Sequence, residues 1–164
     1  DYRVNQLGNE LIATGQPEEA LKFLRTGHPE LFTEEPTVTG HNIWPAMDAA
    51  SAYSQLGEEE KLETLAAAIE ESISGMRQLL GPGYTWGIEG ALLASILGDH
   101  GKAINELEAM FNRGWRFGTH FLPMMPQFSP LKDNPRYIDI LERAEAYQAA
   151  QSEWYKANRD QPLY

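Results

Sequence analysis

The sequence predicts an all-α fold, a helical-hairpin solenoid closed by a C-terminal capping helix. Three observations predict it. Apolar residues recur at helical spacing on both sides of three glycines, Gly15, Gly57 and Gly98. These glycines lie 42 and 41 residues apart, and near-equal spacing of like hairpins marks a repeat array. Around each glycine, residues of matching size fall at matching positions.

The first hairpin, at about 1–27, contains LIATGQPEEALKFL (11–24). Gly15 turns the chain, Pro17 suits the first turn of the next helix, and Ala20 lets that helix lie close to its predecessor. The second, at about 41–80, turns within AYSQLGEEEKLETLAAAI; the third, at about 86–112, within ALLASILGDHGKAINELEAM. Seven residues before the turn stand Gly8, Ala50 and Ala91, small enough for two helices to approach. Four before stand Leu11, Tyr53 and Ala94, which fill the space between paired helices. Five after come Ala20, Leu62 and Ala103, and nine after come Leu24, Ala66 and Leu107. Leu62 departs from the small series.

Two connectors hold the extra length, HPELFTEEPTVTG (28–40) and GPGYT (81–85), where proline and glycine end helices. Glu18, Glu19 and Glu58–Glu60 sit where negative charge complements a helix N-terminus. The stretch 113–133 is too apolar for a free linker. Trp115, Phe117, Phe121, Met124, Met125, Phe128 and Leu131 are expected to pack over the end of the array, or to fold back into its groove. Asn134 and Pro135 then read as N-cap and first-turn proline of a last helix, 134–159, with a stripe of Ile140, Ala144, Tyr147, Gln151 and Trp154.

Composition limits what such a chain does. Its 164 residues carry 13 Lys+Arg and 24 Asp+Glu, a net charge of −11, which repels phosphate backbones and argues against direct nucleic-acid binding. Residues 1–80 hold 14 of the acids and 5 of the bases, so a basic ligand favours the first half. There is no cysteine, hence no disulfide or thiolate metal site. The longest apolar run, near Ala91–Leu97, falls far short of the roughly 18 residues of a membrane span. The chain begins at Asp1 already inside a helical pattern, so the array is expected to continue upstream of a cut or processed end. Composition assigns no compartment.

The sequence offers no catalytic constellation. It lacks a His-Glu-x-x-His pair, a phosphate-cradling glycine loop and a nucleophile elbow. His28, His41, His100 and His120 share no metal-ligand spacing, and the first three read as surface residues. Paired carboxylates such as Glu34-Glu35 and Glu70-Glu71 read as solvated helix faces, because acid–base work needs two of them in one cleft with separated pKa values. Arg113-Gly114-Trp115-Arg116-Phe117 interleaves bases with aromatics, but two arginines make a weak funnel in so acidic a chain. No cofactor, no metal and no enzyme activity are expected.

The glycine-centred pattern resembles the tetratricopeptide repeat, with Leu7-Gly8, Leu11, Ala20 and Leu24 following it in the first copy, and Ala103 and Leu107 in the third. The resemblance implies a right-handed α-α superhelix. The segment PQFSPLKDNPRYIDILERA (126–144) is similar to the tail of tetratricopeptide regions in multidomain bacterial regulators and signalling proteins. Both resemblances imply a non-enzymatic interaction module, the C-terminal part of a larger protein. The family's groove positions carried onto this chain give Tyr2, Asn5, Asn9, Ile12 and Ala13 in the first copy. They give Trp44, Met47, Ser51, Ser54 and Gln55 in the second, and Thr85, Ile88, Leu92, Ser95 and Ile96 in the third. No lysine or arginine is among them, which favours an apolar or basic protein or peptide segment over an acidic one. Two other functions stay open: self-association through the cut end or Trp154-Tyr155, and a small-molecule sensor pocket roofed by the Met-Pro tail.

Overall fold

A computed structural model describes residues 2–81, 88–115 and 119–159, without the side chains of residues 2–6 and His120. The described residues are helical throughout, with no strand among them. Seven α-helices succeed one another: α1 (Tyr2–Ala13), α2 (Pro17–Gly27), α3 (Ile43–Leu56), α4 (Glu59–Leu80), α5 (Ile88–Ile96), α6 (His100–Asn112) and α7 (Pro135–Asn158). Short 3-10 helices occupy Pro29–Phe32, Thr119–Met124 and Pro126–Leu131.

Each hairpin turn is built the same way. Gly15, Gly57 and Gly98 have φ of 71°, 69° and 78°, a left-handed conformation that a side chain would strain. Each glycine N–H donates three residues back, to Ile12, Ser54 and Ser95. The next N–H donates to the carbonyls of Leu11, Tyr53 and Ala94. This pair of bonds is the Schellman motif, which satisfies the last carbonyls of a helix while reversing the chain. The following helix starts on local chemistry. Pro17 opens α2 with Glu18 and Glu19 in its first turn, Glu59 and Glu60 open α4, and the Asp99 carboxylate accepts the Lys102 N–H at the start of α6.

The helices pack in two rows. α1, α3 and α5 lie side by side; α2, α4 and α6 back onto them, each hairpin also touching the next through α2·α3 and α4·α5. The small residues mark the closest approaches. Ala20, Ala50, Ala91 and Ala103 are fully buried, and a Cβ on Gly8 would stand 2.8 Å from Asp48 Oδ2 and 3.3 Å from Leu24 Cδ2. Leu62, where the small series breaks, is only half-buried against the core. The connector after α2 is tied by Asn42, whose amide reaches Glu30 Oε1 (2.9 Å) and the Thr37 carbonyl (3.0 Å). His28, expected on the surface, is half-buried there beside Glu30.

The tail departs from a simple end cap. The segment Pro126–Leu131 packs on α5 and also on α1, so it crosses the row of odd-numbered helices. Phe128 and Leu131 are buried, whereas Phe121 and Met124, expected to pack, are largely exposed. Phe117 lies outside the described residues. α7 then docks on α6 through Arg136, which bonds Glu108 and Asn105, and through Arg143 over the Phe111 ring. The stripe anticipated on α7 stops early. Tyr137, Ile140 and Ala144 are buried, but Tyr147 and Trp154 are exposed, because among the described residues no further helix covers that end of α7.

Candidate interaction groove

The residues singled out in the sequence lie on α1, α3 and α5, and burial divides them. Trp44, Ser54 and Gln55 are exposed on α3. Ile12, Met47, Ser51, Ile88 and Leu92 are buried. The reason is the number of neighbours: α3 is flanked by α1, α2, α4 and α5, and α5 lies under the tail. Tyr2 and Asn5 stand on α1, with side chains outside the described residues, and Thr85 lies outside them altogether. Asn9 is half-buried and is committed to Asp48.

Asp48 was not legible as a site residue. It sits mid-helix on α3, only 4 % exposed, facing α1 where Gly8 leaves room for its carboxylate. Amides of Asn9 and Gln127 hydrogen-bond it, the latter from Nε2 to Oδ1 at 3.4 Å. Among the described residues no cation pairs with it, and burial pushes its pKa up to about 7 against those two bonds. Ser95 completes the layer: its hydroxyl donates to the Gln127 carbonyl at 2.6 Å. A polar layer thus joins α1, α3, α5 and the tail across the floor of the groove. Two clues were present in the sequence, a lone acid within IWPAMDAASAY and a glycine in the helix opposite. Neither says which residues meet.

Beside this layer the structure gathers several of the anticipated positions around one cavity of about 130 Å³. Ile12, Ser51, Ser54, Gln55, Ser95 and Ile96 line it together with Pro126, Gln127 and Pro130 of the tail. A wider hollow of about 900 Å³ lies on the other side of the molecule, along α6. Its charged side chains include Arg77, bonded to Glu106 at 3.2 Å, and Lys102, bonded to Glu70 at 3.3 Å. Among the described residues no group of three His, Asp or Glu side chains is placed to hold a metal ion. No helix of the described residues is long and apolar enough to cross a membrane.

Comparison with protein-family models, with curated proteins and with solved structures finds no match in any of the three. The functional reading therefore rests on this chain's own residues.

Proposed function

We propose that the chain is a non-enzymatic interaction module of tetratricopeptide type, the C-terminal part of a larger bacterial regulatory or signalling protein. In this reading the three hairpins form a right-handed solenoid, α7 caps it, and an apolar or basic protein or peptide segment lies along α1 and α3. The observation that carries it is the identity of the three turns. The same two hydrogen bonds recur around a left-handed glycine at 42- and 41-residue intervals, and small residues recur seven before each turn (Gly8, Ala50, Ala91) and, in the first and third pairs, five after it (Ala20, Ala103). The tail covers α5 and reaches α1, which leaves the exposed candidate positions on α3, in the first half of the chain: Trp44, 37 % exposed, near its start and the polar Ser54 and Gln55 near its end. That half also carries most of the negative charge, which favours a basic segment.

Selection from a random peptide library against the intact chain tests the reading. Enriched peptides should be apolar or basic, and their affinity should fall several-fold with Trp44→Ala. An absence of enrichment, or affinities unchanged in that variant, rejects the groove.

One observation favours a second reading. Residues 145–157 of α7 are exposed, and Trp154 and Tyr155 are 63 % and 65 % exposed, so this helix offers a face for a second copy. A monomer at every concentration in sedimentation sinks that alternative.

A further inference from the structure

We infer that the cavity between the tail and α1, α3 and α5 is a binding site for a primary alkylammonium group. Hydrogen-bond accounting around its wall leads there. The Ser51 hydroxyl donates to the Met47 carbonyl (2.8 Å), Ser54 to Ile96 (3.3 Å) and Ser95 to Gln127 (2.6 Å). A serine has one proton to give, so all three present only oxygen lone pairs to the cavity. Gln55 uses one Nε2 hydrogen on the Ile12 carbonyl at 3.3 Å and Gln127 uses one on Asp48, which leaves each amide one N–H and its oxygen, so the wall holds five acceptor oxygens against two amide N–H groups. Gln127 Oε1 is buried without a hydrogen-bond partner, an unmet acceptor that a ligand donor would satisfy. Pro126 and Pro130 have no N–H to offer.

The wall is therefore rich in acceptors and poor in donors. A carboxylate or phosphate meets five acceptor oxygens and at most two amide N–H groups there, whereas an ammonium brings three donors and no acceptor. Charge agrees with this. Among the described residues no lysine, arginine or histidine lines the cavity, and the whole chain carries −11. Size and shape separate an alkylammonium from a bare alkali ion. About 130 Å³ is several times the roughly 30 Å³ share of one water, and Ile12, Ile96 and the two prolines give an apolar wall for a methylene stem. A metal ion would want oxygen on every side.

The ammonium has two sources, a free amine or a lysine of a partner segment. The lysine source rests on the groove reading above; the free amine does not. Amide-resolved NMR titration of the intact chain separates them, with n-butylammonium chloride as one probe and a short lysine-containing peptide as the other. Butanol, butyrate and potassium chloride at matched ionic strength are the controls. Saturable shifts confined to residues around 51–55, 95–96 and 126–130, seen with butylammonium and not with the controls, are expected. Ser51→Val, which removes one acceptor and fills space, should weaken binding about tenfold or more. Gln55→Leu, on the exposed side of α3, gives the same reading if Ser51→Val does not fold. Butanol, butyrate or potassium acting as well as butylammonium overturns the inference, as does affinity unchanged in a folded variant. Butylammonium binding without the peptide supports a free-amine site, and the library selection then decides the groove independently.

Discussion

Two helices of this chain, α3 and α7, have inverted fates. α3 buries an unneutralised carboxylate, Asp48, at its centre; α7 leaves a tryptophan and a tyrosine, Trp154 and Tyr155, in solvent. Judged by residue type, each outcome is the costlier one. The difference lies in neighbours. Four helices surround α3, so every residue from Pro45 to Tyr53 is covered whatever its polarity. α7 leans on α6 and on the 3-10 segments of the tail, and among the described residues its burial ends at Ala144. Position within the array outweighs side-chain chemistry in setting what is covered here.

Four substitutions test that contrast, the largest effect first. Phe128→Ala removes a fully buried ring that packs on Tyr137 at 6.0 Å between centroids, and cuts away the tail's hold over α5. A loss of about 3–5 kcal/mol in urea denaturation is expected; a loss below 1 kcal/mol would show that the tail adds little to α5's burial.

Asp48→Asn probes the centre of α3 through pH. The native pKa of Asp48 is raised to about 7, so the folded chain holds a proton that the unfolded chain releases near its ordinary value of about 3.9. This contribution is fully present below that lower value and is lost as pH rises through 7, a term of up to roughly 4 kcal/mol. Wild-type stability should fall between pH 5 and 8 more steeply than that of Asp48→Asn. Parallel slopes would mean that the carboxylate is solvated after all.

Gly8→Ala asks whether the approach of α1 to α3 is as close as it looks. A methyl would come within 2.8 Å of Asp48 Oδ2, and the side chain must give way. Thermal unfolding should report about 1–3 kcal/mol of destabilisation. The smallest effect belongs to the bare helix: Trp154→Ala should change stability by less than about 0.5 kcal/mol. A larger loss would reveal a covering surface on α7, and its concentration dependence would identify a second copy.

The sequence foretold what is local and missed what is distant. The glycine turns, Pro17, the Asn134 cap and the small residues at Gly8, Ala20 and Ala103 are readable because each follows from residues a few positions apart. Asp48 meeting Gln127 is a different matter: 79 residues separate them, and no periodicity encodes their contact. Burial at the anticipated groove positions is hidden from the sequence for the same reason. Ile12, Ser51 and Leu92 lie on the right helices, but whether a side chain there is free depends on where the tail comes to rest. The α7 stripe was overextended because amphipathic spacing shows which face would be buried, not whether anything arrives to bury it.

That long-range contact changes how the molecule comes apart. A row of hairpins that touch only their neighbours frays from either end, each unit opening at its own free energy. Here the end of the row reaches back: the tail rests on α1, and Gln127 bonds the helix of the second hairpin. The line is bent into a ring. Peeling away the first hairpin must disturb the tail, and releasing the tail uncovers α1, so the two open together while the exposed end of α7 stays independent. Closing a loop of this length is entropically slow, which makes it the natural last step of folding and the event that turns separate hairpins into a single cooperative unit.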